Sequence, residues 1–99
     1  MKRKNRFKIK ITEGDIKNQI REYLDLMKWF SFPLVAGLGS YPGLPDRIAI
    51  KGGRVLFLEI KRPNGKLSEG QKLFQINMEN VGGEYYVVRS LEEIMKILE

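Results

Sequence analysis

The sequence predicts a single α/β domain with the element order α-β-β-β-α-β-α, and three patterns predict it. Ile16, Ile20, Leu24 and Met27 recur at helical spacing after a basic opening stretch. Two β-rich runs flank Gly52-Gly53, the mark of a tight hairpin, because the favoured two-residue turns need a positive φ that glycine adopts without strain. A further capped helix ends at Gly82-Gly83 and leads into a short run rich in Tyr and Val. The 99 residues suffice for one modest core that buries roughly 60 to 70% of the unfolded chain's surface, and leave no room for two domains.

Taken in order, residues 1–11 form a basic arm and residues 12–99 the folded domain. Thr12 with Asp15 has the form of a capping box and opens a helix expected over 13–28. Trp29 to Val35, rich in aromatic and β-branched residues, reads as a strand, with Pro33 suggesting an edge position or a bulge. The Gly- and Pro-dense stretch 36–45 is a loop. Residues 46–51 and 54–61 are the hairpin strands, the second ended by Arg62-Pro63-Asn64-Gly65-Lys66. Ser68 with Gln71 forms another capping box and starts a helix that runs to Val81. Residues 84–89 are a strand, and Ser90 with Glu93 caps a last helix to the C-terminus.

Composition removes whole classes of chemistry. With no Cys there is no disulfide framework, thiolate zinc site or cysteine nucleophile, and with no His there is no histidine base or histidine-ligated metal. An enzyme built from this chain works with carboxylates, Lys, hydroxyls and a hard metal. No apolar run approaches a membrane span, and Met1-Lys2-Arg3-Lys4 is not followed by the apolar stretch of a signal peptide. An intracellular protein without a membrane partner is therefore expected, cytoplasmic, nucleoid-associated or of a phage within its host. The net charge of +6 resides in the arm, where Lys2, Arg3, Lys4, Arg6, Lys8 and Lys10 have no acid among them. The segment 46–66 adds a second basic region, and such a field suits a phosphate polymer. The arm also reads as a solvated tail, or, from the alternation of Phe7, Ile9 and Ile11, as an added edge or intersubunit strand.

The hairpin carries the candidate chemistry. With Gly52 and Gly53 as the two turn residues, Lys51 faces Arg54, and the same register sets Asp46 opposite Glu59 on one side of the sheet, Cβ atoms about 4.5 to 5.5 Å apart. Lys61 shares that side through the strand's period of two. Opposed acids repel, and a bound cation turns the liability into a site, since hard ions such as magnesium take carboxylate and water oxygens. The hairpin alone fits at least as well the simpler arrangement in which Lys61 pairs with Glu59 and Asp46 in solvent. Glu13 heads the apolar row of the first helix and either adds a third acid or answers the helix dipole. Gln71 heads Phe74, Met78 and Val81, and either reaches inward to a water or phosphate or serves the capping box.

Gly43-Leu44-Pro45-Asp46, Glu59-Ile60-Lys61, Gly65-Lys66-Leu67-Ser68 and Gln71, followed by Gly82-Gly83 and a closing strand, resemble the virus-type replication-repair nuclease (VRR-NUC) domain of the PD-(D/E)xK superfamily. The resemblance runs from Thr12 to Glu99 and implies a restriction-endonuclease-like core, α-β-β-β-α-β with an extra C-terminal helix, its mixed central sheet flanked by helices. It implies Asp46 and Glu59 as ligands of Mg2+, which Mn2+ replaces, with the Ile60 carbonyl a third contact and Glu13 the acid of the first helix. It implies Lys61 as the catalytic lysine and Gln71 as a supporting residue. Stand-alone members look like homodimers that cut branched DNA, notably four-way Holliday junctions, so the resemblance points to a magnesium- or manganese-dependent, structure-selective endodeoxyribonuclease. The alternatives are a nicking or end-trimming nuclease subunit of a larger machine, and a non-catalytic nucleic-acid-binding module that uses the arm with Tyr85 or Tyr86.

Overall fold

The structure, a computed structural model, describes residues 10–99. The basic arm expected over 1–11 lies outside the described residues except for Lys10 and Ile11, both exposed.

Helix α1 spans Glu13–Leu26. Its capping box is reciprocal: the Asp15 N–H donates to Thr12 Oγ1 at 3.1 Å, and the Thr12 N–H donates to Asp15 Oδ2 at 2.9 Å. Ile16, Ile20 and Leu24 are buried, whereas Met27, expected as the fourth member of the row, caps the helix and is exposed. The helix stops two residues short of the expected 28 because Lys28 takes a left-handed φ of 67°. The Trp29 N–H then reaches Leu24 O and the Lys28 N–H reaches Asp25 O, a Schellman closure with lysine where glycine is usual. Trp29 is thereby drawn into the core instead of opening the next strand.

Strand β1 is accordingly Phe30–Pro33, shorter than the expected 29–35, and it forms the sheet edge that Pro33 suits. Strands β2 (Arg47–Lys51) and β3 (Arg54–Ile60) meet at Gly52 and Gly53, with φ of 59° and 84°, in the predicted register from Lys51 opposite Arg54 to Arg47 opposite Leu58. Helix α2 (Glu69–Asn80) carries the chain to β4 (Glu84–Val88), which lies parallel to β3, and helix α3 (Leu91–Ile97) follows. At Ser90 the expected pairing is only half made: its hydroxyl accepts from the Glu93 N–H, but the Glu93 carboxylate accepts from the Arg89 N–H at 2.7 Å.

The sheet order is β1-β2-β3-β4, antiparallel but for the last pair. Its alternation sorts the core. Ala49, Leu56, Leu58, Ile60 and Val88 face Ile16, Ile20 and Leu24 of α1 and Ile94 of α3, each large aliphatic side chain contributing about 1.5 to 3 kcal/mol through burial. The opposite face is aromatic and less covered. Phe74 of α2 packs against Phe57, Tyr85 and Tyr41 with ring centroids 5.8 to 6.1 Å apart, while Phe30, Phe32 and Val55 remain exposed beyond the reach of α2.

Candidate active site

The two acids are brought together where the hairpin ladder ends. Beyond Arg47 the chain leaves regular pairing: the Asp46 N–H donates to Leu58 O at 3.0 Å, and Asp46 Oδ2 accepts from the Ile60 N–H at 2.7 Å. Glu59 sits between Leu58 and Ile60, whose side chains enter the core, so strand alternation turns its carboxylate to the α2 face. It is only 2% exposed and is the one buried charged residue among those described.

Two side chains contact that carboxylate. Glu59 Oε2 accepts from Gln71 Nε2 at 3.2 Å and lies 3.4 Å from Lys61 Nζ, whose side chain is 15% exposed. Glu59 Oε1 is buried with no hydrogen-bond partner. Burial first, and the Asp46 charge second, push the Glu59 carboxyl up to about 7 against the partial offset of Lys61. Gln71 serves the capping box, its Oε1 accepting from the Ser68 N–H at 2.9 Å, and it also reaches inward, where its Nε2 donates to Glu59.

Lys61 serves Glu59 and not Asp46. The cation on Asp46 is Lys17, with Nζ 3.3 Å from Asp46 Oδ1 and 3.4 Å from Glu13 Oε2. Partial burial pulls the Lys17 ammonium down, but Asp46 and Glu13 outweigh it, and the net shift is upward. Glu13 thus stands one lysine away from the other acids, and among the described residues no group of three or more Asp or Glu converges as metal ligands. Ile60 buries its side chain and gives its N–H to Asp46, leaving its carbonyl as the group it can offer.

Two further features border the site. The loop bearing Leu44-Pro45-Asp46 rests on the first turn of α2 at Gly43, where φ is 77° and a Cβ would run into the Gly70 carbonyl and lie 2.9 Å from Gln71 N. On the same sheet face, Tyr85 buries a hydroxyl that has no partner and is pushed up by burial and by the charges of Glu59 and Asp46. Tyr86 is half-buried and donates its hydroxyl to Glu84 Oε1 at 2.6 Å, while Tyr85 is buried.

The donor set fits a hard divalent cation. Glu59 Oε1 is buried without a hydrogen-bond partner beside a second carboxylate, and carboxylate oxygens are the donors such an ion takes. Asp46, Glu59 and the Ile60 carbonyl are all oxygen donors.

A mixed four-stranded sheet flanked by helices, in the order α-β-β-β-α-β-α with acids at the end of its central hairpin, is a restriction-endonuclease-like fold. Within that class the chain is similar to a solved structure described as a VRR_NUC domain, with a TM-score of 0.76 and 22% identity over 89% of this chain and 96% of that one. No family model and no curated protein matches the chain.

Proposed function

We propose that this protein is a magnesium- or manganese-dependent endodeoxyribonuclease acting on branched DNA, four-way junctions foremost, as a homodimer inside the cell. The observation that carries the reading is the buried Glu59, one oxygen orphaned, beside Asp46 and with Lys61 on the same side, in the fold of a VRR_NUC domain. Asp46, Glu59 and the Ile60 carbonyl would hold the metal, which when bound supplies positive charge for phosphate oxygens and acidifies water. Lys61, mostly buried and fixed by Glu59, holds a phosphate oxygen or orients the attacking water. Gln71 fixes the Glu59 carboxylate, and Gly43 sets the path of the loop into Asp46.

DNA approach is supported by the loop after β3. Arg47, Lys51 and Arg54 are tied to Ser31, Met27 O and Glu84, whereas Arg62 and Lys66 stand exposed next to Lys61. Dimerisation is supported by the open half of the aromatic face. Phe30, Phe32, Ile48, Ile50 and Val55 share it by strand pairing, and Phe30 is 67% exposed. Two-fold symmetry presents two sites to two strands.

Incubation with duplex, flap and four-way substrates tests the chemistry. Cleavage should require Mg2+ or Mn2+ and disappear in Asp46→Asn and Lys61→Ala with binding retained; cleavage at wild-type rates in either variant, or in chelator, refutes the mechanism. Light scattering should report a dimer, and a monomer with junctions present leaves only nicking.

A further inference from the structure

Lys17 has no part in the scheme above, yet it touches one of its acids, Asp46, together with Glu13. It lies one helical turn beyond Glu13 on α1, the spacing that lets an acid and a base meet along one helix face. Its ammonium then reaches across to the end of β2, spanning Glu13 Oε2 at 3.4 Å and Asp46 Oδ1 at 3.3 Å. The two acids of the hairpin thus have separate cations, Lys61 on Glu59 and Lys17 on Asp46. The two lysines differ in how they are held. Lys61 is largely buried, whereas the Lys17 side chain is 42% exposed.

We propose that Lys17 is the resident counter-ion of the metal site, an ammonium that neutralises Asp46 and Glu13 while no divalent ion is held and competes with that ion for the same carboxylate oxygens. The inference rests on the metal-site reading of Asp46 and Glu59. An exposed ammonium–carboxylate pair is a weak contact, so Lys17 leaves without unpacking the core, while a hard divalent cation gains more from the same oxygens. Until it leaves, it opposes the incoming ion, because a monovalent cation a few ångströms away repels a divalent one and occupies a lone-pair direction of Asp46. Lys17 therefore sets how much free metal the site needs before it loads. It also explains how the opposed acids persist without metal, with the positive charge on α1 held beside Asp46.

The test is Mn2+ binding to the chelator-stripped, DNA-free protein, followed by electron paramagnetic resonance, for wild type, Lys17→Gln, Lys17→Met, Lys17→Arg and Asp46→Asn. Circular-dichroism melts in chelator confirm that each is folded. Removing the ammonium should lower the Mn2+ Kd by roughly tenfold, in either neutral variant, while Lys17→Arg, which keeps the charge, should bind no tighter than wild type. An unchanged or higher Kd in the neutral variants overturns the inference while wild-type binding that is lost in Asp46→Asn leaves the metal site standing. Absence of Mn2+ binding in wild type overturns both.

Discussion

Replacing Glu59 with Gln tests the electrostatics of the site without any assay of activity. In the folded protein burial and Asp46 raise the Glu59 carboxyl to about 7 from an ordinary 4.5. The folded state therefore binds a proton that the unfolded state releases, so this group's contribution to stability is fully present below about 4.5 and is lost as pH rises through about 7. A separation of about 2.5 on the pH scale, at about 1.4 kcal/mol per pH unit, amounts to at most roughly 3 to 4 kcal/mol, a large share of a small domain's total. Gln has nearly the same volume and carries no charge at any pH. Metal-free wild type should lose stability relative to Glu59→Gln between pH 5 and 8, and at pH 8 the variant should be the more stable of the two. Asp15 and Glu84, held below their ordinary range by hydrogen bonds from Thr12 and Arg54 respectively, act with the opposite sign and at lower pH, so they leave this window clear. Urea unfolding in chelator at several pH values reads the difference directly. Parallel pH profiles for the two proteins would refute the argument that Glu59 is held at its charge's expense. Magnesium or manganese should restore the wild type at pH 8 and leave Glu59→Gln nearly unmoved.

Two further outcomes follow from geometry and from charge. Gly43→Ala should destabilise the protein by about 2 kcal/mol or more, since it combines a positive φ with a collision against the Gly70 carbonyl; a melting temperature equal to wild type would show that the loop does not need that approach. Removing residues 1–10 takes away six positive charges, and DNA affinity should fall for all substrate forms alike with a shallower salt dependence; loss of the dimer with an unchanged salt slope would assign the segment to assembly instead.

How much of this was legible in the sequence depended on whether a local rule fixed each position. Gly52-Gly53 dictates a two-residue turn, and from that turn alone the register follows, which is why the sequence sets Asp46, Glu59 and Lys61 on one side. Gln71 was legible for a similar reason, because its capping box fixes its place on the helix. The end of α1 was not legible, because Lys28 adopts a conformation usually reserved for glycine. Long-range geometry was hidden as well. Lys17 stands one helical turn from Glu13, but its reach to Asp46 depends on how α1 crosses the sheet. The placement of Tyr85 beside the acids depends on the parallel register of β4 on β3, which no turn specifies.

The bond between the Ile60 amide and Asp46 gives the molecule a built-in spectroscopic reporter. Ile60 lies on a strand paired on both sides, with its side chain in the core, yet its N–H goes to a carboxylate and not to a backbone carbonyl. Its resonance in an amide nitrogen–proton spectrum therefore senses the orientation and ionisation of Asp46, and its exchange with solvent deuterium senses whether that oxygen is still engaged. Any event that turns the Asp46 carboxylate away, whether protonation or capture by a cation, registers at an amide that is otherwise shielded. The state of the acid can thus be followed residue by residue, without substrate and without altering any side chain of the site.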